Sequence, residues 1–218
     1  MLLRATLLNI ELLFALLAVG FVTGTIVAVL QVYGGRILGI LAFVYEWIFR
    51  SIPPLVLLFI VYFGPSRFGL SISRFLAATL ALGLCSSGYQ SQIFRGAIQS
   101  VQSGQMMAAR ALGMSRIRAI ASVILPQAFR LSIPGWSNEF SAVVKDTTLA
   151  YAVGFNELLR SARAIMDRRY DLAMISFLTV ALIFLVITYA GNRSLGWLEE
   201  RTRIPGLQVA GSTKEGHV

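Results

Sequence analysis

Long uncharged apolar runs alternate along the chain with short stretches rich in arginine, glycine and proline. Residues 12–30, 75–94 and 172–192 each pass without a single charged side chain. Each run is close to the ~20 residues that cross a hydrocarbon core about 30 Å thick. Two further spans are less plainly marked. Residues 37–45 are apolar, Glu46 and Arg50 interrupt, and Pro53-Pro54 breaks any helix before a second run at 54–63. Residues 119–144 hold Pro126, Arg130, Pro134 and Glu139, a pattern tolerated in a span only where it faces protein or a water-filled path. Gly34-Gly35-Arg36 and Gly64-Pro65-Ser66 read as turns, 151–171 as an extramembrane segment of mixed charge, and the residues from Arg193 onward as a polar tail. The first run is longer than a signal-peptide core and has no small-residue cleavage site after it, so it is expected to be a retained span. Gly20 and Gly24 on it form a GxxxG, which permits close helix approach. The pattern predicts an all-α polytopic membrane protein with about five transmembrane helices.

Composition sharpens this. Of 218 residues, 56% are hydrophobic and 13% charged, where a soluble domain carries about a quarter. The only histidine is His217, the only cysteine Cys85, and the only lysines Lys145 and Lys214. No intrachain disulfide, Cys/His zinc site, Cys–His or Ser–His nucleophile can be assembled, and no G-x-x-x-x-G-K-[ST] phosphate loop is present. Catalysis by this chain is not expected, nor a cofactor or metal bound by it. The net charge of +9 fits basic loops beside anionic lipid headgroups and an intracellular partner better than nucleic acid, for which no soluble basic domain exists.

The most hydrophilic internal stretch, about 95–122, carries Arg95, Arg110, Arg116 and Arg118 and no acid. Ser103-Gly104-Gln105-Met106-Met107-Ala108-Ala109-Arg110-Ala111-Leu112 is rich in helix formers. Gly113 suits a left-handed stop, and Ser115 can cap a second helix. In that helix Ile117, Ile120, Ala121 and Ile124 fall on one face. Two readings stand: an interfacial hairpin with arginines on lipid phosphates, or a rigid protein-docking device between two spans.

Ala108-Ala109, Gly113 and Val123-Ile124-Leu125-Pro126 resemble the "EAA" loop of ABC-importer permeases. Ile93-Phe94-Arg95-Gly96-Ala97-Ile98, Leu125-Pro126-Gln127-Ala128, Asn138-Glu139-Phe140, Lys145-Asp146-Thr147-Thr148-Leu149-Ala150 and Phe49-Arg50-Ser51-Ile52-Pro53-Pro54-Leu55 are similar to the polar amino-acid uptake subfamily. The chain departs from the pattern at Met107 and Gln92, where the family has glutamates, and at Ser103, where a lysine or similar residue is common. The resemblance implies one transmembrane permease domain at 7–203 and a polar tail at 204–218. It further implies an ATP-driven importer subunit translocating a polar or charged amino acid. Ser103, Gly104, Met107, Ala108, Ala109, Arg110, Gly113 and Ser115 would dock onto a cytoplasmic ATPase dimer, which binds the ATP and magnesium. The other implied partners are a second permease subunit, identical or not, and an extracytoplasmic amino-acid-binding protein. The implied location is the inner membrane of a prokaryote, N-terminus outside and C-terminus cytoplasmic, which agrees with a small positive-inside bias.

Charges at membrane depth need partners. Glu46 and Arg50, at i and i+4, read as a structural pair. Glu139 has no helical neighbour of opposite sign. It can line a pathway with Asn138 and bind an ammonium or guanidinium, or pair across spans with Arg50 or Arg130. Thr147 and Thr148 are pathway candidates beside a plainer capping role. Asp167 to Asp171 reads as a span boundary or a contact for the binding protein, and Trp47, Trp136 and Trp197 as interfacial anchors or packing residues. Two other classes remain at this stage: a secondary transporter or channel not coupled to ATP, for which no repeat or carboxylate chain is found, and a non-transporting scaffold, which leaves the interrupted fourth span without purpose.

Overall fold

Helix α1 (Leu2–Tyr33) begins ten residues before its uncharged run and spans 32 residues, because Arg4 and Glu11 sit on its exposed side and cost the helix nothing. The computed structural model describes residues 1–202; the tail expected at 204–218, with Lys214 and His217, lies outside the described residues. Within them all regular structure is helical. The GxxxG of α1 is its seam with α4 (Arg74–Ser100). A Cβ on Gly20 would stand 2.2 Å from Gln90 Nε2, and one on Gly24 3.0 Å from the Ser87 carbonyl oxygen.

Between them run α2 (Gly35–Ser51) and α3 (Pro54–Phe63), bent by 99° at Ile52-Pro53. Pro54 occupies the first turn of α3, where its missing N–H is no loss. Helix α4 runs on to Ser100, so Arg95 lies inside it and the interhelical loop begins later than residue 95. Next come α5 (Ser103–Ala111) and α6 (Arg116–Ala119). Helix α6 passes through one π turn (Ile120–Ile124) into α7 (Leu125–Asp146).

That π turn corrects the expected apolar face. Ile120 and Ile124 are buried, but Ile117 and Ala121 are exposed, and Ala119 and Ala128 complete the buried stripe instead. Pro126 has no N–H to give the carbonyl one turn back, and widening the preceding turn to i→i+5 absorbs the defect while rotating the register. The second helix of the loop and the fourth span are therefore one rod with a local unwinding.

A 3₁₀ segment (Thr147–Val153) leads to α8 (Leu158–Arg168), a helix within the stretch expected only to be extramembrane, and then to α9 (Ala173–Thr202). Helix α9 packs on α7 through Gly191, where a Cβ would meet the Phe140 ring, and through a Ser141–Asn192 hydrogen bond. By length and apolarity α1 and the rod 170–202 can each cross a membrane, and the α2–α3 pair together can form a broken span. Helices α4 and α7 are long enough but too polar to stand out by apolarity. The expected five passages would need both of them in addition to those three.

The bundle has two distinct ends. At one, Ala28 of α1, Phe94 and Ile98 of α4, Val101, Ile124 and Ala128 pack together, with Phe21, Phe94 and Phe129 in mutual ring contact. At the other, Ala5 of α1 meets Leu158 and Ala162 of α8 and Val180 of α9.

Candidate functional site

The first end carries an elbow. Helix α5 stops in a full Schellman closure: the Gly113 N–H donates to the Arg110 carbonyl and the Met114 N–H to the Ala109 carbonyl. Gly113 takes φ +81°, which a side chain resists. The Arg110 guanidinium donates to the Met114 carbonyl across the bend. Ser115 then caps α6, its hydroxyl accepting the Arg118 N–H. Ala109 is buried against the rod, while Ser103, Gly104, Met107, Ala108, Arg110, Gly113 and Ser115 are exposed. Arg116 lies over the Tyr33 ring at the end of α1, 5.6 Å from its centroid. The sequence signals for Gly113 and Ser115 correspond to this geometry; the bracing by Arg110 and Tyr33 was not visible in them.

Through the bundle runs a polar seam. Glu46 is 2% exposed and collects three hydrogen-bond donors, the Gln31 and Gln92 amides at 2.6 Å and the Arg50 guanidinium at 3.3 Å, with the Arg95 guanidinium 3.8 Å away as a further ion pair. The predicted Glu46–Arg50 pair is thus the visible part of a larger hub, and Gln92 is one of its donors. Gln31, Gln92 and Arg95 come from distant segments and were not identified beforehand as members.

Glu139 pairs with neither Arg50 nor Arg130. Its carboxylate accepts from the Ser86 hydroxyl; the Gln90 amide donates to Ser86, and the Trp136 indole N–H donates to the Gln90 carbonyl oxygen. Gln90 is fully buried and needs the space that Gly20 leaves. Asn138, next to Glu139, is exposed. Thr147 is buried; it accepts from the Asn9 amide and donates to the Val144 carbonyl. Thr148 donates to the Lys145 carbonyl. Asn138 and Glu139 are neighbours in the chain whose side chains share no hydrogen bond, and the two threonines bond elsewhere.

Asn9 is the main residue that sequence reasoning missed. A buried polar residue on a largely apolar helix, it also accepts the Leu158 N–H, and so joins α1 to the start of α8. The following two N–H groups, of Leu159 and Arg160, are taken by the buried Glu157 carboxylate. Burial pushes that carboxyl up to about 6, against the pull of the same backbone donors and Arg160. At the expected boundary segment Arg169 and Asp171 form an exposed ion pair at 2.8 Å, which holds the Asp171 carboxyl below its ordinary value. No group of three or more His, Cys, Asp or Glu side chains able to hold a metal lies together among the described residues.

The family described as "Binding-protein-dependent transport system inner membrane component" matches residues 20–204. The nopaline transport system permease protein NocM of Agrobacterium fabrum is 35% identical across 99% of this chain and 95% of its own. The probable glutamine ABC transporter permease protein GlnM of Bacillus subtilis is 34% identical, with 85% of each chain covered. The crystal structure of an amino acid ABC transporter with histidines aligns with a TM-score of 0.79 at 30% identity, over 92% of this chain and 93% of that one. The inward-facing MetNI methionine ABC transporter shares the fold, with a TM-score of 0.71 at 23% identity. The chain therefore belongs to the binding-protein-dependent transport family: it is a multi-pass inner-membrane permease subunit of an ABC importer of the amino-acid and opine type, and is not itself an ATPase.

Proposed function

We propose that this permease carries a polar or charged amino acid, handed over by an extracytoplasmic binding protein, and that residues 103–115 are its grip on the ATPase. The observation that carries this reading is the elbow itself. Met107, Leu112 and Ile117 are 67%, 81% and 80% exposed, beside Arg110, Arg116 and Arg118, on a bend closed at both helix ends. Water alone gives no reason to hold three large apolar side chains outward on so well-capped a turn; a groove on a protein does. Met107 offers an apolar contact where the resembled family has a carboxylate. Movement of the elbow reaches the spans through the continuous α6–α7 rod and through Arg116 on Tyr33.

This reading sets the elbow and the C-terminus in the cytoplasm and the N-terminus outside. ATP and magnesium belong to the ATPase dimer. Five passages are too few to enclose a path, so two permease chains are needed, either two copies or a related pair.

The test is uptake by the permease–ATPase complex with its binding protein in proteoliposomes. ATP-dependent accumulation of an amino acid, abolished by Gly113→Pro in a complex that still assembles, is the expected outcome. Proline cannot take φ +81°, so the bend must open. Uptake that proceeds without ATP, or survives that substitution, overturns the reading.

A further inference from the structure

We propose that the trough between α1, α7 and α9 is a lipid site. It takes an acyl chain of an anionic glycerophospholipid, and Arg130 at its mouth binds the phosphate. The lipid belongs to the leaflet on the elbow side, and its binding is independent of the cargo.

Small residues leave the space. Gly191 lets α9 close on the Phe140 ring of α7, while Ala18 of α1 and Ala190 and Ser194 of α9 are too short to fill the gap that remains. The trough follows α1 from Ile10 to Val22, about 18 Å at 1.5 Å per residue. That is close to the depth of one leaflet, half of a hydrocarbon core about 30 Å thick. A volume of about 740 Å³ over this length leaves a trough about 7 Å wide, narrower than the 10–12 Å of an α-helix with its side chains. A single hydrocarbon chain enters where a helix rests only on the rim. The polar groups in the lining are already engaged: the Ser194 hydroxyl donates to the Ala190 carbonyl, and the Trp136 indole donates to Gln90. Nothing in this stretch holds water.

The mouth is basic. At its elbow end the trough runs on into a hollow of about 310 Å³ that shares Phe21, Trp136 and Leu195 with it, and there Arg130 and Thr202 join the lining. The charge-free run of α9 has ended by this point, at Asn192, and Trp197 stands exposed, as at headgroup depth. Arg130 has no carboxylate within 4.0 Å among the described residues. Arg201 lies over the Trp197 ring, 5.1 Å from its centroid. At about 100° per residue, Glu200 falls roughly 160° away from Leu198 and Thr202, on the far side of α9, and Glu199 falls beside the hollow. Two guanidiniums therefore stand against one carboxylate among the described residues. A phosphate diester supplies the missing anion in a form that a guanidinium fork matches. A zwitterionic lipid brings a cation of its own to the same place and gains less.

The experiment is photolabelling of the detergent-purified permease–ATPase complex. The probe is a phosphatidylglycerol with a diazirine midway along one chain, and the competitors are unlabelled phosphatidylglycerol and phosphatidylcholine with the same chains. Adducts are expected on residues 10–22 of α1 and 187–198 of α9, with phosphatidylglycerol competing at least ten-fold better than phosphatidylcholine. Arg130→Gln should cut that preference at least five-fold while the adducts stay in the trough. Ala18→Trp, which fills the trough, should abolish the adducts there and leave those elsewhere on the bundle, which a misfolded chain would not do. Adducts spread evenly over all exposed helix faces, equal competition by the two lipids, or an unchanged preference in Arg130→Gln overturns the site. So do two other occupants. Disulfide cross-links between copies through Ala18→Cys would assign the trough to a second permease chain. Adducts that appear only once residues 203–218 are removed would assign it to the tail.

Discussion

The two ends of the bundle are both closed by a capped helix start, yet they are built on opposite plans. At the elbow the hydrogen bonds that close the turn itself join residues at most five apart, Met114 to Ala109, Gly113 to Arg110, Arg110 to Met114 and Arg118 to Ser115, and the Arg116–Tyr33 and Gln127–Gln105 contacts only brace it from outside. At the α8 end the first N–H of the helix goes to Asn9, 149 residues earlier in the chain, and the same side chain holds Thr147, 138 residues away. A locally closed turn keeps its shape wherever its helices are carried, which suits an element that transmits force. A turn closed through α1 exists only while the whole bundle is assembled, and it ties the first helix to the last third of the chain.

The sharpest way to break this contrast is Asn9→Ala. It orphans the buried Leu158 N–H and removes the Thr147 contact, and an unsatisfied buried group costs roughly 1–3 kcal/mol. A loss of about 3 kcal/mol for the two is expected, read as a lowered melting temperature of the purified complex. Amide exchange should accelerate in residues 1–13, 147–153 and 158–168 together. Acceleration confined to 158–168 would mean that α8 is a local unit after all, and the contrast would fail.

This difference also explains what could be read from the sequence. Gly113 and Ser115 announce themselves because glycine at a left-handed stop and serine at a cap act on their immediate neighbours. Pro53-Pro54 marks the bend of α2 on α3 for the same reason. The charge pair Glu46–Arg50 was legible because four residues on a helix are one turn. Its completion by Gln31, Gln92 and Arg95 depends on how α1, α2 and α4 cross, and no spacing rule reports that. Glu139 shows the same limit: the sequence marked it as an acid in need of a partner, and the partner is Ser86, 53 residues away and neutral. The apolar face of α6 was misjudged because the π turn forced by Pro126 shifts the register that the 3.6-residue period assumes.

A smaller effect is expected at the elbow from Gly113→Ala. A Cβ there meets open space, so the cost is the left-handed backbone alone, about 1–2 kcal/mol. Local closure confines it: amide exchange in residues 103–120 should rise roughly 5- to 30-fold, the factor that such an energy corresponds to, while the melting temperature stays near wild type. If instead the whole complex loses as much stability as with Asn9→Ala, the elbow is not an autonomous device, and its role as a lever loses its physical basis.

The smallest effect separates the two caps themselves. Ser115 is exposed and cannot ionise near neutrality, whereas Glu157 is fully buried with its carboxyl raised to about 6. A raised carboxyl means that the folded chain holds the proton more tightly than the unfolded chain, whose value is near 4.5. The stabilisation is complete below pH 4.5 and is lost as pH rises through about 6. Comparison with Glu157→Gln isolates it, since the amide stays neutral throughout. The stability of wild type relative to this variant should decline from pH 4.5 to 6 by on the order of 1 kcal/mol and run flat above pH 7, measured by chemical denaturation of the detergent-solubilised complex. A difference that grows with pH would show that the folded protein prefers the ionised cap, which a buried site disfavours. Glu157 would then behave as Ser115 does, a cap open to water, and the α8 end would owe its dependence on the assembled bundle to Asn9 and the Ala5 packing rather than to this cap.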